Sequence, residues 1–343
     1  MKILFNSSVG LGDSAYLYMV LRALKRARPD ILMDVLAWPG PFKLFLLSGV
    51  TNLVIDAGKQ IDKYSARGLA DFDLFKARAG DLQGYDIIYN LQHHRASAYM
   101  CHLAEPGRLV GVDPDKDTDG WYNDIHTTAP GEHILDSLVR LLLETLDLER
   151  LPLEAQMVLP EDATLPVRQL IAELDGNPGP LVGIHPGAAG TERLWPYRYW
   201  GELVQCLLEG DKARIILFGS DLRHQGEQPV LDKPLVDIIQ RLSGDRCLDL
   251  SGQLNVATLA LIIGQLDLYV GLDTGPTHLA ELLGTPTVAL FRLFSEDLLN
   301  RWRPRGENVS LLVHEDLARI SPDQVLVNSR KLLATQPPGV NVV

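Results

Sequence analysis

The sequence DLYVGLDTGPTHLAELLGTPTVALF, residues 267–291, decides the fold that the chain is expected to adopt. Residues 268–270 and 287–291 are short apolar runs of the kind that buried parallel strands contain. Residues 277–283 continue as a helix, which Gly284 ends because glycine readily adopts the backbone conformation that follows a last helical turn. The stretch therefore predicts a strand, a tight turn, a helix, a second turn and another strand.

The turn at the start of this helix is suited to a phosphate group. Asp273 and Thr274 form a capping pair, and Gly275 permits the sharp turn into the helix. A helix N-terminus at the carboxyl end of a parallel strand offers backbone amides and the positive end of a dipole. Thr274, Thr277 and His278 add side-chain donors at the same place. An ordinary strand-to-helix turn of an α/β protein is the alternative that this stretch alone leaves open.

The composition is that of an ordinary globular protein. The chain has 343 residues, 46% of them hydrophobic and 22% charged, and this length indicates two domains more readily than one. The formal net charge of −12 argues against a nucleic-acid binder, because a phosphate backbone requires a basic surface. The same charge argues against a protein that anionic lipid holds by electrostatics alone.

Cysteine usage and hydropathy indicate the compartment. Cys101, Cys206 and Cys247 lie far apart with no C-x-x-C pair, which indicates reduced thiols and neither a disulfide framework nor a zinc site. The N-terminal residues become polar after one short apolar run, unlike a signal peptide. Because no apolar segment approaches the roughly 18 residues that a membrane span needs, we expect a cytoplasmic protein.

Strands and helices alternate along the chain, which predicts parallel sheets with right-handed crossovers. The segment WPGP, residues 38–41, is expected to be a rigid turn, and the proline-rich residues 151–166 an extended linker. Expected strands cover residues 3–5, 33–37, 53–55, 85–90, 108–112, 182–184, 214–218 and 247–248, and expected helices cover residues 14–28, 42–47, 96 onward, 133–148, 199–208, 230–242, 256–266 and 322–334. The fold class is therefore α/β, with two Rossmann-like parallel-sheet domains that face each other across a cleft.

The expected domains follow from the linker. Residues 1–160 form an N-terminal, acceptor-side domain, and residues 161–320 form a C-terminal domain that binds a nucleotide sugar. Residues 321–343 form a C-terminal helix and tail, with packing against the N-terminal domain as one option.

Two segments of the first domain are expected at the carboxyl ends of its strands, where parallel sheets bind ligands. The first, NSSVGLGD, lacks the third glycine of a dinucleotide fingerprint but places Gly12 and Asp13 at a helix start. Asp13 either accepts a proton there or simply caps the helix. The second segment, LQHHR, makes Gln92, His94 and Arg95 candidates for acceptor binding, and its adjacent histidines point to different sides, which argues against zinc.

The loop HPGAAGTERLWP, residues 185–196, follows a predicted strand of the second domain. Its candidate ligand residues are His185, Gly187 and Arg193, since glycine-rich turns admit a diphosphate and arginine grips two phosphate oxygens at once. A surface loop with an exposed arginine is the alternative. The helix start near Gly275 in the same predicted domain favours the phosphate interpretation.

Two charged clusters are weaker candidates. Arg292, Arg301 and Arg303 follow the last core strand, either as a solvated face or as a cluster that binds an anionic ligand. Residues 115–120 match the opening of a calcium loop, but His126 stands where that loop requires a bidentate glutamate. A solvated acidic loop is therefore favoured over a calcium site.

These segments, in this order, resemble glycosyltransferase family 9, the ADP-heptose:lipopolysaccharide heptosyltransferases. The resemblance extends over nearly the whole chain, through GLGD and its helix, HPGAAGTERLWP, and above all DTGPTHLA, residues 273–280. Arg193 stands where the family usually has lysine, and Arg292 stands where it usually has glycine. The helix start GDSAYLY also differs from the small or threonine residues that are usual there.

The resemblance implies a GT-B architecture and inverting, metal-independent transfer from a nucleotide sugar without a cofactor. Asp13 would be the general base, and Arg193 would neutralise the leaving diphosphate. The residues that would bind the donor are His185, Gly187, Asp273, Thr274, Gly275, Thr277 and His278. The implied partners are ADP-heptose as the donor and a glycan or lipid-linked acceptor such as lipopolysaccharide core, with no nucleic acid.

Two alternatives to a transferase remain open. Sugar-nucleotide 2-epimerases share the GT-B layout and bind similar donors, and a non-catalytic nucleotide-sugar-binding protein would bind the donor without turning it over. Membrane contact is expected to be peripheral at most, on the inner face of the cytoplasmic membrane. Arg22, Lys25, Arg26 and Arg28 suit the C-terminal end of the first helix, or alternatively dock an anionic acceptor.

Overall fold

The computed structural model describes residues 1–7, 10–37, 39–56, 77–172, 179–188, 190–220, 224–225, 228–229, 232–243 and 246–335. Some of the predictions lie outside the described residues, namely those for residues 8–9 of the first turn, Trp38, residue 189 of the loop 185–196, residues 230–231 of an expected helix and the tail 336–343.

The chain divides into two compact units, Met1–Ala155 and Gln156–Val343. The first unit alternates strands and helices as its sequence predicts. Its strands are β1 (Lys2–Ser7), β2 (Leu32–Ala37), β3 (Leu53–Asp56), β4 (Ile87–Asn90), β5 (Arg108–Val112) and β6 (Asp124–His126), and its helices are α1 (Leu11–Ala27), α2 (Pro39–Ser48), α3 (Arg95–Leu103) and α4 (Ile134–Leu146).

The second unit repeats the alternation with more elements. Its strands are β7 (Leu181–His185), β8 (Arg214–Leu217), β9 (His224–Gln225), β10 (Gln228–Pro229), β11 (Cys247–Asp249), β12 (Leu268–Leu272), β13 (Thr287–Arg292) and β14 (Val309–His314). Its helices are α5 (Glu161–Ala172), α6 (Tyr197–Glu209), α7 (Asp232–Ser243), α8 (Val256–Ile263), α9 (Gly275–Leu282), α10 (Glu296–Trp302) and α11 (Pro322–Thr335).

Each unit is built on one six-stranded parallel sheet. The strand order is β3-β2-β1-β4-β5-β6 in the first unit and β11-β8-β7-β12-β13-β14 in the second, while β9 and β10 form a separate antiparallel pair. In both sheets the order reverses beside the first strand, which is the Rossmann arrangement and creates a switch point where ligands bind. The predicted α/β class with two Rossmann-like parallel-sheet domains is therefore confirmed.

The strands form a buried apolar core in each unit, as their continuous apolar runs predict. In the second unit, Trp195 and Trp200 pack edge to face at 4.8 Å between ring centroids and lie almost fully buried against β7, β12 and β13. Helix α11 packs against α6 and against strands β12, β13 and β14 of its own unit. Among the helices that the structure describes, none is both long and apolar enough to cross a membrane.

Three sequence-based boundaries were wrong. Helix α1 begins at Leu11 and not at residue 14, which brings Asp13 into its first turn. The predicted turn at residues 39–41 lies within α2, because prolines in a first helical turn lack only N–H groups that the helix does not use. The predicted linker ends early, since α5 begins at Glu161 and packs against α8 in spite of Pro166.

Strands β6 and β14 and helix α10 were missed by the sequence analysis. Helix α10 is capped by Ser295, whose hydroxyl accepts a hydrogen bond from the Leu298 amide at 3.2 Å, and has Glu296 and Asp297 in its first turn. Both features are N-terminal helix signals.

A carboxylate in the loop before α4 gives the first unit a pH-dependent contact. Arg140 donates to both carboxylate oxygens of Glu132, at 2.8 Å and 2.7 Å, and the Ala129 amide donates to the same group at 2.9 Å. The Arg140 hydrogen bonds lower the pKa of Glu132 from its ordinary value to about 2. Because the folded-state pKa is depressed, the contact stabilises above the unfolded-state pKa and is lost as the pH falls toward 2.

We expect Glu132→Gln to lower the free energy of unfolding by about 1 kcal/mol at neutral pH, allowing for solvent screening. The difference from the wild type should shrink as the pH falls from 4.5 through 2, because Glu132 then becomes protonated in the folded state as well as in the unfolded state. Denaturant unfolding at a series of pH values measures it. Glu144→Gln is the control, since Arg140 contacts that exposed carboxylate only at 3.5 Å. A pH-independent difference would contradict the assignment.

Candidate functional site

Two of the predicted binding segments leave neighbouring strands at the switch point of the second sheet. Strand β7 pairs with β12 in parallel, with His185 opposite Gly271, while β8 lies beyond β7 and β13 beyond β12. The loop after His185 and the turn after Leu272 therefore start side by side at the carboxyl edge. This is the position at which Rossmann-type sheets bind ligands.

The start of α9 differs from the capped helix that the sequence predicted. Thr274 is the N-cap residue and is extended, but its side chain makes no capping hydrogen bond, and its hydroxyl lies 3.4 Å from the Leu272 carbonyl oxygen. The fully buried Thr277 also donates its hydroxyl to Leu272. Thr277 thus ties the helix to β12, and neither hydroxyl covers the amides of the first turn, among them that of Gly275.

Asp273 connects the two segments. Its carboxylate lies 3.5 Å from Nη1 of Arg193 and 3.7 Å from Nε2 of His278. His278 is buried beside the rings of Phe291 and Trp302, at 6.0 Å and 6.4 Å between centroids. Because an ionised carboxylate only accepts hydrogen bonds, Asp273 orients these cationic or donor groups and is not itself a ligand for phosphate.

The loop after β7 presents Arg193 from a fixed backbone. Gly190 has a φ of 91°, a left-handed conformation that favours glycine, and the turn Thr191–Arg193 follows it. On the far side of the turn, the Trp195 indole donates to the Ile320 carbonyl at 2.9 Å. His185 and Gly187, at the root of the loop, are buried.

The Arg193 guanidinium retains capacity to bind an anion. Its side chain is about a third exposed, and its only ion pair within the described part of the chain is with Asp273. Its Nε is shielded from solvent without a hydrogen-bond acceptor among the described residues. An incoming anion would supply that acceptor, and a buried N–H without one is costly.

The three arginines of the predicted anion-binding cluster have different surroundings. Arg292, at the end of β13, directs its guanidinium to two backbone carbonyls, those of Glu192 and Glu315. Arg301 lies 5.7 Å from the centroid of the Trp302 ring, and Arg303 is the C-terminal cap residue of α10. Binding of an anion by the cluster stays a prediction.

In the first unit, Asp13 lies at the corresponding edge of the other sheet. It is the third residue of α1, partly exposed, and the buried Gly12 precedes it. Gly10 caps the helix, and a Cβ added there would lie 3.2 Å from Oδ2 of Asp13. The glycine therefore leaves room for the carboxylate that the sequence analysis singled out.

The other acceptor-side candidates follow β4. Gln92 is buried, and its Nε2 has no partner among the described residues. His94 is the cap residue of α3, and Arg95 is exposed at its first position. The structure thus places these residues beyond the end of the strand that pairs with β1, where Asn6 lies opposite Asn90.

Several polar and aromatic residues near these edges were missed by the sequence analysis. The Asn90 side-chain oxygen accepts hydrogen bonds from Asn6 at 2.9 Å and from Ser97 at 2.8 Å, which forms a buried network beneath the first edge. At the edge of the second sheet, Phe294 lies beside Arg193 and Trp302 lies beside His278. Asn6 and Asn90 each lie at the end of an apolar strand, and this position was a usable sequence signal for both of them.

The remaining charged segments have structural partners. Asp115 caps the turn Lys116–Trp121, and no group of three or more potential metal-binding side chains occurs among the residues that the structure describes. On α1, Arg22 and Arg26 both contact the Glu154 carboxylate, and Arg28, the cap residue after α1, pairs with Asp30 at 2.8 Å.

The fold defines an α/β protein of the GT-B class. The family model described as glycosyltransferase family 9 (heptosyltransferase) matches residues 79–324. The chain therefore belongs to glycosyltransferase family 9, as its motifs predicted, and the assignment as a glycosyltransferase is confirmed at the level of the family.

Individual relatives agree with this assignment. Lipopolysaccharide heptosyltransferase 1 of Pseudomonas aeruginosa is 24% identical over 304 residues, which cover 85% of this chain and 78% of that protein. Lipopolysaccharide heptosyltransferase 2 of Salmonella typhimurium is 25% identical over 175 residues, which cover 46% of this chain and 48% of that protein. The chain thus spans about half the length of the latter relative.

Solved structures show the same fold. ADP-heptose lipopolysaccharide heptosyltransferase II of Escherichia coli has a TM-score of 0.76 at 22% identity, covering 97% of this chain and 99% of that one. A family 9 glycosyltransferase from Veillonella parvula has a TM-score of 0.79 at 15% identity, covering 98% and 97%. A Listeria monocytogenes protein described as a UDP-N-acetylglucosamine 2-epimerase has a TM-score of 0.55 at 12% identity, covering 97% and 88%.

The anchoring of the Arg193 loop is testable through Trp195. We expect Trp195→Phe to lower the free energy of unfolding by about 2 kcal/mol, because it removes the hydrogen bond to Ile320 and leaves unfilled space beside Trp200. Denaturant unfolding measures the change. Tyr197→Phe is the control and should cost less than about 0.5 kcal/mol, since that ring is exposed. Equal effects would contradict the anchoring role.

Proposed function

We propose that this protein is an inverting, metal-independent glycosyltransferase that moves a sugar from a nucleotide sugar to a hydroxyl group of a glycan. The donor is ADP-heptose and the acceptor is lipopolysaccharide core, in line with the names of its relatives. The observation that carries the proposal is the grouping of Arg193, Asp273 and His278 at the start of α9. Family membership makes sugar transfer the chemistry that such a grouping serves.

The donor diphosphate binds at the N-terminus of α9. The backbone amide of Gly275, the hydroxyl of Thr274 and the imidazole of His278 are the donor groups at that position, and the helix dipole adds to their attraction for an anion. The partly exposed Arg193–Asp273 pair at 3.5 Å is worth at most about 1 kcal/mol. The guanidinium can therefore turn toward a diphosphate with little loss.

Transfer breaks the bond between the anomeric carbon and the β-phosphate oxygen, and the electron pair leaves with ADP. Arg193 and the Gly275 amide stabilise the charge that develops on the leaving oxygen. Asp273 holds the guanidinium before the donor arrives and accepts a hydrogen bond from a sugar hydroxyl afterwards. In this metal-independent transfer, these protein groups stabilise the negative charge of the leaving diphosphate.

Asp13 is the general base. Its carboxylate takes the proton of the acceptor hydroxyl while that oxygen bonds to the anomeric carbon on the face opposite the leaving ADP, which inverts the configuration. Gln92, His94 and Arg95 bind the acceptor, and the buried Gln92 amide supplies a hydrogen-bond donor for it. An acceptor with a lipid anchor would bring the enzyme to the inner face of the cytoplasmic membrane.

The direct test is a transfer assay with ADP-heptose and a heptose-deficient lipopolysaccharide core, in which both ADP release and the modified acceptor are measured. We expect Arg193→Gln to lower kcat by about 10²- to 10³-fold, since it removes one stabilising cation from the leaving group. Arg193→Lys, which carries the residue usual in the family, should stay within about tenfold of the wild type. Full activity of Arg193→Gln would contradict the assigned role.

In the same assay, Asp13→Asn should lower kcat by about 10²- to 10⁴-fold with little change in ADP affinity, because it removes only the proton acceptor. Asp136→Asn is the matched control, as Asp136 is also the third residue of its helix. Interconversion of the sugar nucleotide without ADP release would support the isomerase alternative. ADP binding without any turnover by the wild type would support the non-catalytic one.

A further inference from the structure

Arg292 bridges the turn Thr191–Arg193 and the segment that follows β14. It is the last residue of β13 and lies in register with His314 on β14. Its Nε donates to the Glu315 carbonyl and its Nη1 donates to the Glu192 carbonyl, both at 2.9 Å. The planar guanidinium thus fastens the backbone of the turn to the edge of the sheet.

The backbone that Arg292 holds is the one that carries Arg193. Glu192 directly precedes Arg193, so the position of its carbonyl sets the direction in which the Arg193 side chain leaves the turn. Both guanidinium groups also lie against the ring of Phe294, with Arg292 at 4.9 Å and Arg193 at 5.5 Å from its centroid. These are cation–π distances, and one ring therefore contacts both arginines.

On this geometry we propose that Arg292 is a positioning residue that aims Arg193 at the donor diphosphate. The inference rests on the proposed function, which assigns Arg193 to that diphosphate, and extends it to a residue that has no assigned part in the reaction. Glycine, which the family usually has at position 292, has no side chain that could form this bridge. This chain therefore combines an arginine at position 193 with a second arginine that holds its backbone.

Two other roles for Arg292 predict different behaviour. If Arg292 bound the diphosphate itself, its charge would matter whether or not Arg193 were present. If Arg292 only stabilised the fold, its loss would lower the melting temperature without changing the affinity of the folded protein for ADP. A positioning residue acts through Arg193, so its effect disappears once Arg193 is gone.

The experiment is a double-mutant cycle on ADP binding, measured by titration calorimetry on the full chain, with Arg292→Gln and Arg193→Gln made singly and together. We expect Arg292→Gln to weaken ADP binding by about tenfold in the wild-type background and by less than about twofold beside Arg193→Gln. The kcat for transfer should fall with the same pattern. Arg319→Gln, which removes an exposed charge from the nearby turn Leu317–Arg319, is the control and should leave both values unchanged.

Arg292→Lys separates charge from geometry. A lysine keeps the positive charge but lacks the planar group whose two nitrogens reach two carbonyls at once, so it should behave like Arg292→Gln. Rescue by lysine, or equal losses in both backgrounds, would overturn the proposal in favour of direct contact. A lower melting temperature with unchanged ADP affinity would overturn it in favour of a structural role.

Failure of the proposed function has its own signature. If the wild type does not bind ADP, or if Arg193→Gln binds it normally, both the donor site and the positioning role are overturned. If Arg193→Gln loses affinity as expected and Arg292→Gln does not, the positioning role alone is overturned. Should Arg292→Gln fail to fold, Phe294→Leu removes the ring that both arginines contact and should show the same dependence on Arg193.

Discussion

One carboxylate organises the site of the second unit. Asp273 lies within 4 Å of both Arg193 and His278, which belong to separate segments of the chain. This contact exists only because β7 and β12 are neighbours in register, so that the loop after one strand and the turn after the other begin at the same edge. The parallel pairing at the switch point is thus the constraint on which the site depends.

The segments around Asp273 are held mainly by contacts that involve backbone carbonyls. The Thr277 hydroxyl binds the end of β12, the Trp195 indole binds the Ile320 carbonyl, and the Arg292 guanidinium binds the turn itself. The hydrogen bonds of Thr277 and Trp195 are buried, whereas those of Arg292 and the weak Arg193–Asp273 pair are partly exposed. Buried hydrogen bonds thus hold the backbone around Asp273, while the proposed diphosphate ligand Arg193 has only a weak partner to exchange.

Most of the fold was predictable because its signals are local. Continuous apolar runs such as that of β12 mark strands buried on both faces, and the alternation with helices implies parallel sheets. Helix α5 was not recognised because Pro166 indicates extended chain, while packing against α8 overrides that preference. The capping serine of α10 and the apolar run of β14 were usable signals that were passed over.

The candidate site was predictable in its segments but not in the roles of its side chains. A threonine at a helix start has the same sequence signature whether its hydroxyl faces a ligand or, as in Thr277, the preceding strand. Which way the hydroxyl faces depends on how deeply the threonine is buried in the folded protein, and the neighbouring residues in the sequence do not indicate this. Likewise, Arg292 resembled a surface charge because the carbonyl of Glu192 lies 100 residues away along the chain.

The most direct test of this account is an experimental structure of the protein with ADP. We expect the diphosphate at the N-terminus of α9, with an oxygen within hydrogen-bonding distance of the Arg193 guanidinium and another near the Gly275 amide. The Arg193–Asp273 contact should lengthen in that complex while the Arg292 bridge to Glu192 remains. ADP bound elsewhere, such as at the edge of the first sheet near Asn6 and Asn90, would contradict the account.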